Sequence, residues 1–323
     1  MIEICASLFD HRLMMIQGIS RFPSSKLRIA VIGVGGIGST FAFQLARQGG
    51  HEVTAIARPG SGRLQQLRRD NAIVDIKGQR AGVLVAETLD ETIPFDLILV
   101  TLQAQQVDKV LASLQRSRAR WIQFMFNNFE PEGLRNAIGE DRCSFGMPFV
   151  QASVDGDGKL NAKIGAAGQK SKMNDRSCVE VFNAAGLPAA FEPDMLLWLR
   201  CHVPLGAAFE SVCVAGMRRG GGATWGESIA IARGMQEGFR LIQLMGYTLY
   251  PTGKARLNAS PVWIVAAMLW GMSRVPSFRK LLATGVNECR ALVDVLVASA
   301  SRTNPPASTN HIQAMRPLGE PRL

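Results

Sequence analysis

Gly33, Gly35 and Gly38 in the run GVGGIG are spaced as GxGxxG, a spacing that can wrap a pyrophosphate in backbone. Gly33 permits a tight turn, Gly35 lets a phosphate approach the main chain, and Gly38 lets a helix close on a strand. Gly36 and Ile37 stand where the phosphates meet the helix N-terminus. A glycine-rich turn without a ligand is the alternative reading. At the end of the next strand, where a dinucleotide site usually sets Asp or Glu against ribose hydroxyls, the chain has Ala57-Arg58. A guanidinium pairs with a 2′-phosphate and stacks on adenine, and no carboxylate repels that phosphate. The residues therefore predict NADPH rather than NADH, with Arg63 close enough to assist.

These residues need elements to hold them. Leu27 to Gly33 reads as a strand, Ser39 to Gln48 as a helix and Glu52 to Ala57 as a second strand, which makes a βαβ unit around the glycines. Further strands are expected at Ile73 to Ile76, Val83 to Val85, Leu97 to Thr101 and Trp121 to Phe126, with a helix at Val107 to Gln115. That alternation predicts a mostly parallel sheet covered on both faces. DGDGKL within Ser153 to Ile164 is a turn signature between two strands, read as an antiparallel addition at the sheet edge. From Pro193 helical periods dominate, at Met195 to Met217, Gly226 to Gly246, Pro261 to Met272 and Ser277 to Ala300. The expectation is an α/β Rossmann-type doubly wound sheet followed by an all-α domain. The expected divisions are an N-terminal extension at 1–26, the sheet domain at 27–192, the helical domain at 193–300 and a flexible, proline-bearing tail at 301–323.

A length of 323 residues exceeds what one core usually fills, and 47% apolar with 19% charged residues describes an ordinary folded chain. The net charge of +10 favours anionic ligands, but no aromatic-interleaved basic stripe accompanies it, so nucleic-acid binding is not expected. Six cysteines without a CxxC, and four histidines outside any ligand spacing, argue against a metal site and for reduced, buried thiols in a cytoplasmic protein. Asp10, His11 and Arg12 interrupt the first apolar cluster before a secretory signal forms. Pro261 to Met272 is too short to cross a membrane and reads as a buried helix, whose aromatic and Met residues pack in the core or line an apolar pocket. Exposed apolar helices would suit a homodimer.

Five segments resemble the ketopantoate reductase (2-dehydropantoate 2-reductase) family: IAVIGVGGIGS, AIAR, LILVTLQAQQV, MFNNFEPEGLRNAIGEDR and LLWLRCHVPLGA, spanning roughly Leu27 to Ala300. The resemblance implies a helical C-terminal domain like that of 6-phosphogluconate dehydrogenase. It also implies NADPH-dependent reduction of a 2-oxo acid to a 2-hydroxy acid in the cleft between the two domains, as in pantothenate biosynthesis. Residue by residue, Gln103 takes the place of the family's cofactor-contacting Lys. Asn128, in Asn127-Asn128-Phe129, matches the Asn of a Gln-Asn-Gly turn beside nicotinamide and substrate, and Phe129 in place of Gly would reshape the cleft.

The catalytic Lys, two residues after a Trp, becomes Arg200 after Trp198, and the two helix asparagines become Pro204 and Ala208. Arginine is a poor general acid but a good clamp for a carboxylate or oxyanion. Ser277 and Glu288 have nearly the spacing of the substrate-holding Ser and Glu. A solvated Glu288 paired with Arg290 is the alternative. The resemblance thus assigns Arg200, Asn128 and Glu288 to catalysis and Arg200, Ser277 and Glu288 to the substrate. The proton donor stays open between His202 and a water relayed by Asn128 or Glu288. Two further functions remain open: an NADP-binding regulator without catalysis, and an opine-type enzyme that reduces an imine of a 2-oxo acid and an amine.

Overall fold

Five residues from Arg28 to Ile32 form β1, apolar after the first and buried on both faces, as a central parallel strand must be. The computed structural model describes residues 21–22, 26–165 and 168–317. After β1 come α1 (Gly36–Arg47), β2 (Glu52–Ile56), α2 (Gly62–Asp70), β3 (Ala72–Val74), β4 (Arg80–Gly82), β5 (Leu84–Ala86), β6 (Leu97–Val100), α3 (Asp108–Arg116), β7 (Ile122–Met125) and α4 (Pro131–Ile138). The sheet domain continues through β8 (Cys143–Met147), β9 (Val150–Val154), β10 (Leu160–Ile164), β11 (Ser171–Met173), α5 (Arg176–Ala184) and β12 (Ala189–Phe191).

The main sheet has eight strands in the order β12-β11-β8-β7-β6-β1-β2-β5. All neighbours run parallel except β11, which is antiparallel to β8. The chain leaves β1 toward β2 on one side and returns in β6 on the other, so a crevice opens at the carboxyl ends of β1 and β6, where open α/β sheets bind ligands. The loops after β1, β6 and β7 carry Gly33 to Gly35, Thr101 to Gln103 and Asn127 to Asn128 to that edge.

The helical domain consists of α6 (Met195–Arg219), α7 (Trp225–Leu244), α8 (Thr252–Ala259), α9 (Val262–Arg274), α10 (Pro276–Leu282), α11 (Val286–Ala300) and α12 (Asn310–Ala314). Its core joins Val203, Ala207, Ala208 and Val212 of α6 to Met235, Phe239 and Ile242 of α7 and to Leu292 and Leu296 of α11. Thr224 starts α7 with a capping box: its hydroxyl accepts from Glu227 N at 3.2 Å while Glu227 accepts from Thr224 N at 2.8 Å.

Several details differ from the sequence reading. The hairpin β9–β10 does not extend the main sheet; it is a separate antiparallel pair whose Val150, Ala152, Val154 and Ile164 pack on the α1 side of the core. The edge position beside β8 belongs to β11. The helix expected over Ser277 to Ala300 is broken at Ala283–Gly285, a 3₁₀ turn that re-aims α11, and α8 had no counterpart in the sequence reading. Helix α9 buries only Val265, Ala266, Leu269 and Ser273, while Trp263, Ile264, Met268 and Trp270 are exposed, so it is neither wholly core nor a pocket lining.

The proline-bearing tail, expected to be flexible, folds back. Ile312 and Met315 are fully buried, the amides of His311 and Ile312 donate to Glu237 Oε2 at 2.8 Å, and α12 lies so close to Gly234 that a Cβ there would come within 2.4 Å of His311 O. Apolar anchors at two positions and a buried carboxylate thus outweigh the prolines. Most of the expected N-terminal extension lies outside the described residues. Cys143, Cys178, Cys201, Cys213 and Cys289 are free and buried, and no helix among the described residues is long and apolar enough to cross a membrane.

Candidate functional site

The glycine turn is shaped by close approach. Gly33 has φ +95°, outside what a side chain tolerates, and a Cβ there would meet Leu102 at 2.9 Å. At Gly38 a Cβ would lie 2.3 Å from Gly33 O and 2.4 Å from Thr101 Oγ1, so only glycine lets α1 seat on the turn. Thr101 Oγ1 donates to Gly33 O at 2.8 Å and ties the turn to the end of β6. Gly35 faces open space, and Gly36 abuts the Ala152 carbonyl of β9. Ile37 turns its side chain to the core, leaving its amide in the first turn of α1. No side chain caps α1 and no acidic residue stands in its first turn, so the positive end of the helix is left for an anion. These features fit a dinucleotide pyrophosphate.

Arg58 follows β2 at the surface, where its side chain makes no ion pair or hydrogen bond among the described residues. Arg63 is different. Its Nε donates to Val34 O at 3.2 Å, and its terminal nitrogens donate to Gly158 O at 2.8 Å and Ser39 Oγ at 2.9 Å. Arg63 therefore braces the glycine turn against the β9–β10 hairpin instead of reaching toward a 2′-phosphate.

Across the crevice, Glu288 in the first turn of α11 joins the two domains. Its Oε1 accepts from Asn127 Nδ2 at 2.8 Å and its Oε2 from Gln103 Nε2 at 3.5 Å. Arg290 turns instead to Asn287 Oδ1 and Pro317 O. Of the asparagine pair, Asn127 reaches the cluster. Asn128 bends back, its Oδ1 accepting from Glu130 N at 3.0 Å in a local turn, which corrects the sequence assignment. Phe129, 1% exposed, packs in the helical core and does not reshape the cleft. Ser277 is exposed on α10 and makes no hydrogen bond to the Glu288 cluster.

Helix α6 brings the largest correction. Pro204 packs against Gly238 of α7, where a Cβ would meet the proline ring at 3.0 Å, so positions 204 and 208 face the interior of the helical domain. Arg200, 3% exposed, donates to Glu132 Oε2 of α4 at 2.6 Å and lies over the Tyr247 ring at 4.0 Å. It makes no hydrogen bond or ion pair with Glu288 among the described residues, and its Nε has no partner there. Two residues on, about 200° round the axis, His202, Gly206 and Glu210 form the face toward the crevice. A Cβ on Gly206 would lie 3.8 Å from Asn127 Oδ1 and 3.9 Å from the His202 ring. The kink that Pro204 could have introduced is not needed to aim His202.

Three buried polar atoms on and beside this face have no hydrogen-bond partner: Asn127 Oδ1, His202 Nδ1 and Glu210 Oε2. The ring of His202 stacks on Trp198 at 4.6 Å, and burial, with the Lys254 ammonium adding to it, pushes the imidazole down to about 3, so it is neutral at pH 7. Lys254 lies on the far side of Trp198, 4.1 Å from the ring, and donates to Trp198 O at 2.9 Å. Burial pushes its ammonium down to about 7. Neither Asn127, Glu210 nor Lys254 was singled out by sequence. For Glu210 a signal existed: it is the one carboxylate in the otherwise apolar run AAFESVCVAG.

The family model for ketopantoate reductase PanE/ApbA matches residues 29–170. Among solved structures, a PanE/ApbA family ketopantoate reductase from Ralstonia eutropha JMP134 is similar, with a TM-score of 0.68 and 16% identity over 90% of this chain and 96% of that one. A probable 2-dehydropantoate 2-reductase from Bacillus subtilis has a TM-score of 0.61 and 17% identity, covering 90% of this chain and 98% of that one. D-mandelate dehydrogenase, solved with NADH, has a TM-score of 0.64 and 14% identity over 89% and 95%. No curated protein matches the sequence. The glycine turn lies within the segment that matches the ketopantoate reductase PanE/ApbA model, and the chain as a whole shares the fold of these solved structures.

Proposed function

We propose that the protein is an NADPH-dependent reductase of a 2-oxo acid, related to ketopantoate reductases but with its own set of polar groups in the cleft. The observation that carries this reading is the bridge from Gln103 and Asn127 of the sheet domain to Glu288 of the helical one, set at the crevice beside the uncapped α1. Gly33, Gly35, Gly36, Ile37 and Gly38 would hold the pyrophosphate, and Arg58 a 2′-phosphate. A reduced nicotinamide dinucleotide, when bound, supplies a hydride. The chain supplies position and hydrogen bonds: Asn127 and Gln103 orient Glu288, and Gly206 leaves room beside them for a small substrate. The match of residues 29–170 to the ketopantoate reductase model and the likeness to D-mandelate dehydrogenase support a 2-oxo acid as substrate.

Titration with NADPH and NADH, followed by nicotinamide fluorescence, tests the cofactor. A panel of 2-oxo acids including ketopantoate then tests turnover. The expected result is tighter binding of NADPH, a preference narrowed about tenfold or more by Arg58→Ala, and consumption with at least one acid. Binding without consumption would favour a regulator.

A second reading has its own observation. Glu210 and Glu288 influence one another electrostatically, and no Lys or Arg among the described residues forms an ion pair with either. Two carboxyl groups without a cation suit a substrate that brings an amine, as in opine-type reductive condensation. A rate that depends on added amine would identify it.

A further inference from the structure

Glu210 is 8% exposed, its Oε2 has no hydrogen-bond partner, and its carboxyl group lies against Gly285, where a Cβ would be 3.1 Å from Oε2. Gly285 caps α11, and the first turn of that helix carries Glu288. Both carboxyl groups therefore belong to one end of α11, Glu210 of α6 against its cap and Glu288 in its first turn. They differ in their partners. Glu288 accepts hydrogen bonds from Asn127 and Gln103, whereas Glu210 Oε2 has no partner among the described residues.

We propose that Glu210 and Glu288 share one proton across the cleft, and that Glu210 passes it to the substrate oxygen as the carbonyl is reduced, a role that rests on the reductase reading above. The pair would take over the role of the missing lysine from another face of α6, with a neutral acid as donor in place of an ammonium.

The surroundings agree. The groups facing Glu210 are Cys213 of its own helix, and Glu288 and Cys289 of α11; Arg279 of α10 acts on Cys213 and gives a guanidinium nitrogen to Ser273 O at 2.9 Å. Both thiols are pushed up by burial, Cys213 to about 12, so neither carries charge at pH 7. Burial first and the Glu288 carboxylate second hold Glu210 well above the usual carboxylate range. Like charges at one site cannot both ionise without cost, and the proton settles on the group with fewer hydrogen bonds.

The step balances. The Glu210 O–H bond breaks as an O–H bond forms on the substrate, and the carbonyl carbon receives a hydride, supplied by the reduced nicotinamide. The carbonyl is reduced to a hydroxyl, the dinucleotide is oxidised, and a solvent proton restores Glu210. Asn127 Oδ1, a buried acceptor, and His202 Nδ1, both without a partner among the described residues, stand beside this face and can hydrogen-bond a substrate hydroxyl or a water there.

Infrared difference spectroscopy on the full chain tests the shared proton without cofactor. The expected result at pH 7 is a protonated-carboxyl C=O band that Glu210→Gln removes and that titrates at lower pH in Glu288→Gln. Glu210→Gln should bind NADPH as the wild type does, lose turnover about 100-fold or more, and lose the alkaline limb of the pH–rate profile. No such band, or a band with full turnover in Glu210→Gln, overturns the proposal. A wild-type chain that shows the band but consumes NADPH with no 2-oxo acid overturns the reductase reading and the donor role with it, while the shared proton stands.

Discussion

The two faces of α6 treat their polar side chains differently. On the face of positions 200, 204 and 208, Arg200 has its carboxylate in Glu132 and a ring beneath it in Tyr247, with its Nε alone left without a partner among the described residues, Pro204 is locked against Gly238, and Ala208 is fully buried. On the face of 202, 206 and 210, two buried polar atoms lack partners and the residue between them has no side chain. A buried polar atom without a partner costs about 1–3 kcal/mol, so such atoms gathered around one gap mark a place shaped for something other than stability. One face holds the fold together and the other waits for a ligand.

Paired substitutions separate the faces most sharply. Gly206→Leu fills the gap beside Asn127 Oδ1 and His202. Turnover should fall at least about 100-fold, with the unfolding midpoint hardly changed, because leucine favours the helix over glycine by about 0.5–1 kcal/mol. Ala208→Leu, one carbon less of added bulk on the other face, should destabilise by about 1–3 kcal/mol and leave turnover per folded molecule intact. Denaturant titration and steady-state rates read both. The reverse pattern would put the cleft on the face of Arg200.

The same contrast explains what sequence could reach. The glycine turn, β1 and β2 are legible because the constraint is local: a strand, a positive φ and a helix start within a dozen residues. Glu288 is legible through spacing that family resemblance supplies. The α6 face is not, because its meaning depends on helix phase. Trp198 marks a place along the chain, but a shift of two residues turns the side chains from the cleft to the core, and only the contact of Pro204 with Gly238 fixes the phase. Asn127 and Asn128 pose the same problem in a turn, where neighbouring identical side chains point apart. The tail defeats composition for another reason: its prolines are local, whereas Ile312 and Met315 find their pockets on α7 and α11 only in the folded chain.

Arg200→Ala is the next test. If the guanidinium is a structural partner of Glu132, its loss should cost about 2 kcal/mol, less than a fully buried pair because Glu132 is 31% exposed on its side chain. Turnover measured below the shifted midpoint should stay within about threefold of wild type, as expected of a change that leaves the cleft untouched. Abolished turnover with unchanged stability would return Arg200 to the mechanism.

At pH 7 the smallest effect is the one that ties the cleft face to pH. His202 is held neutral down to about 3, whereas an unfolded chain protonates histidine near its ordinary value of 6.5. The unfolded state therefore binds more protons between these values, so the contribution of His202 to stability is complete above pH 6.5 and declines as pH falls toward 3. His202→Phe keeps a flat ring on Trp198 and removes the titration. Thermal unfolding from pH 7 to pH 3 should then show a shallower acid limb than wild type. An acid limb equally steep in His202→Phe would mean that the imidazole reaches solvent and protonates freely, and the polar face of α6 would then be an open one.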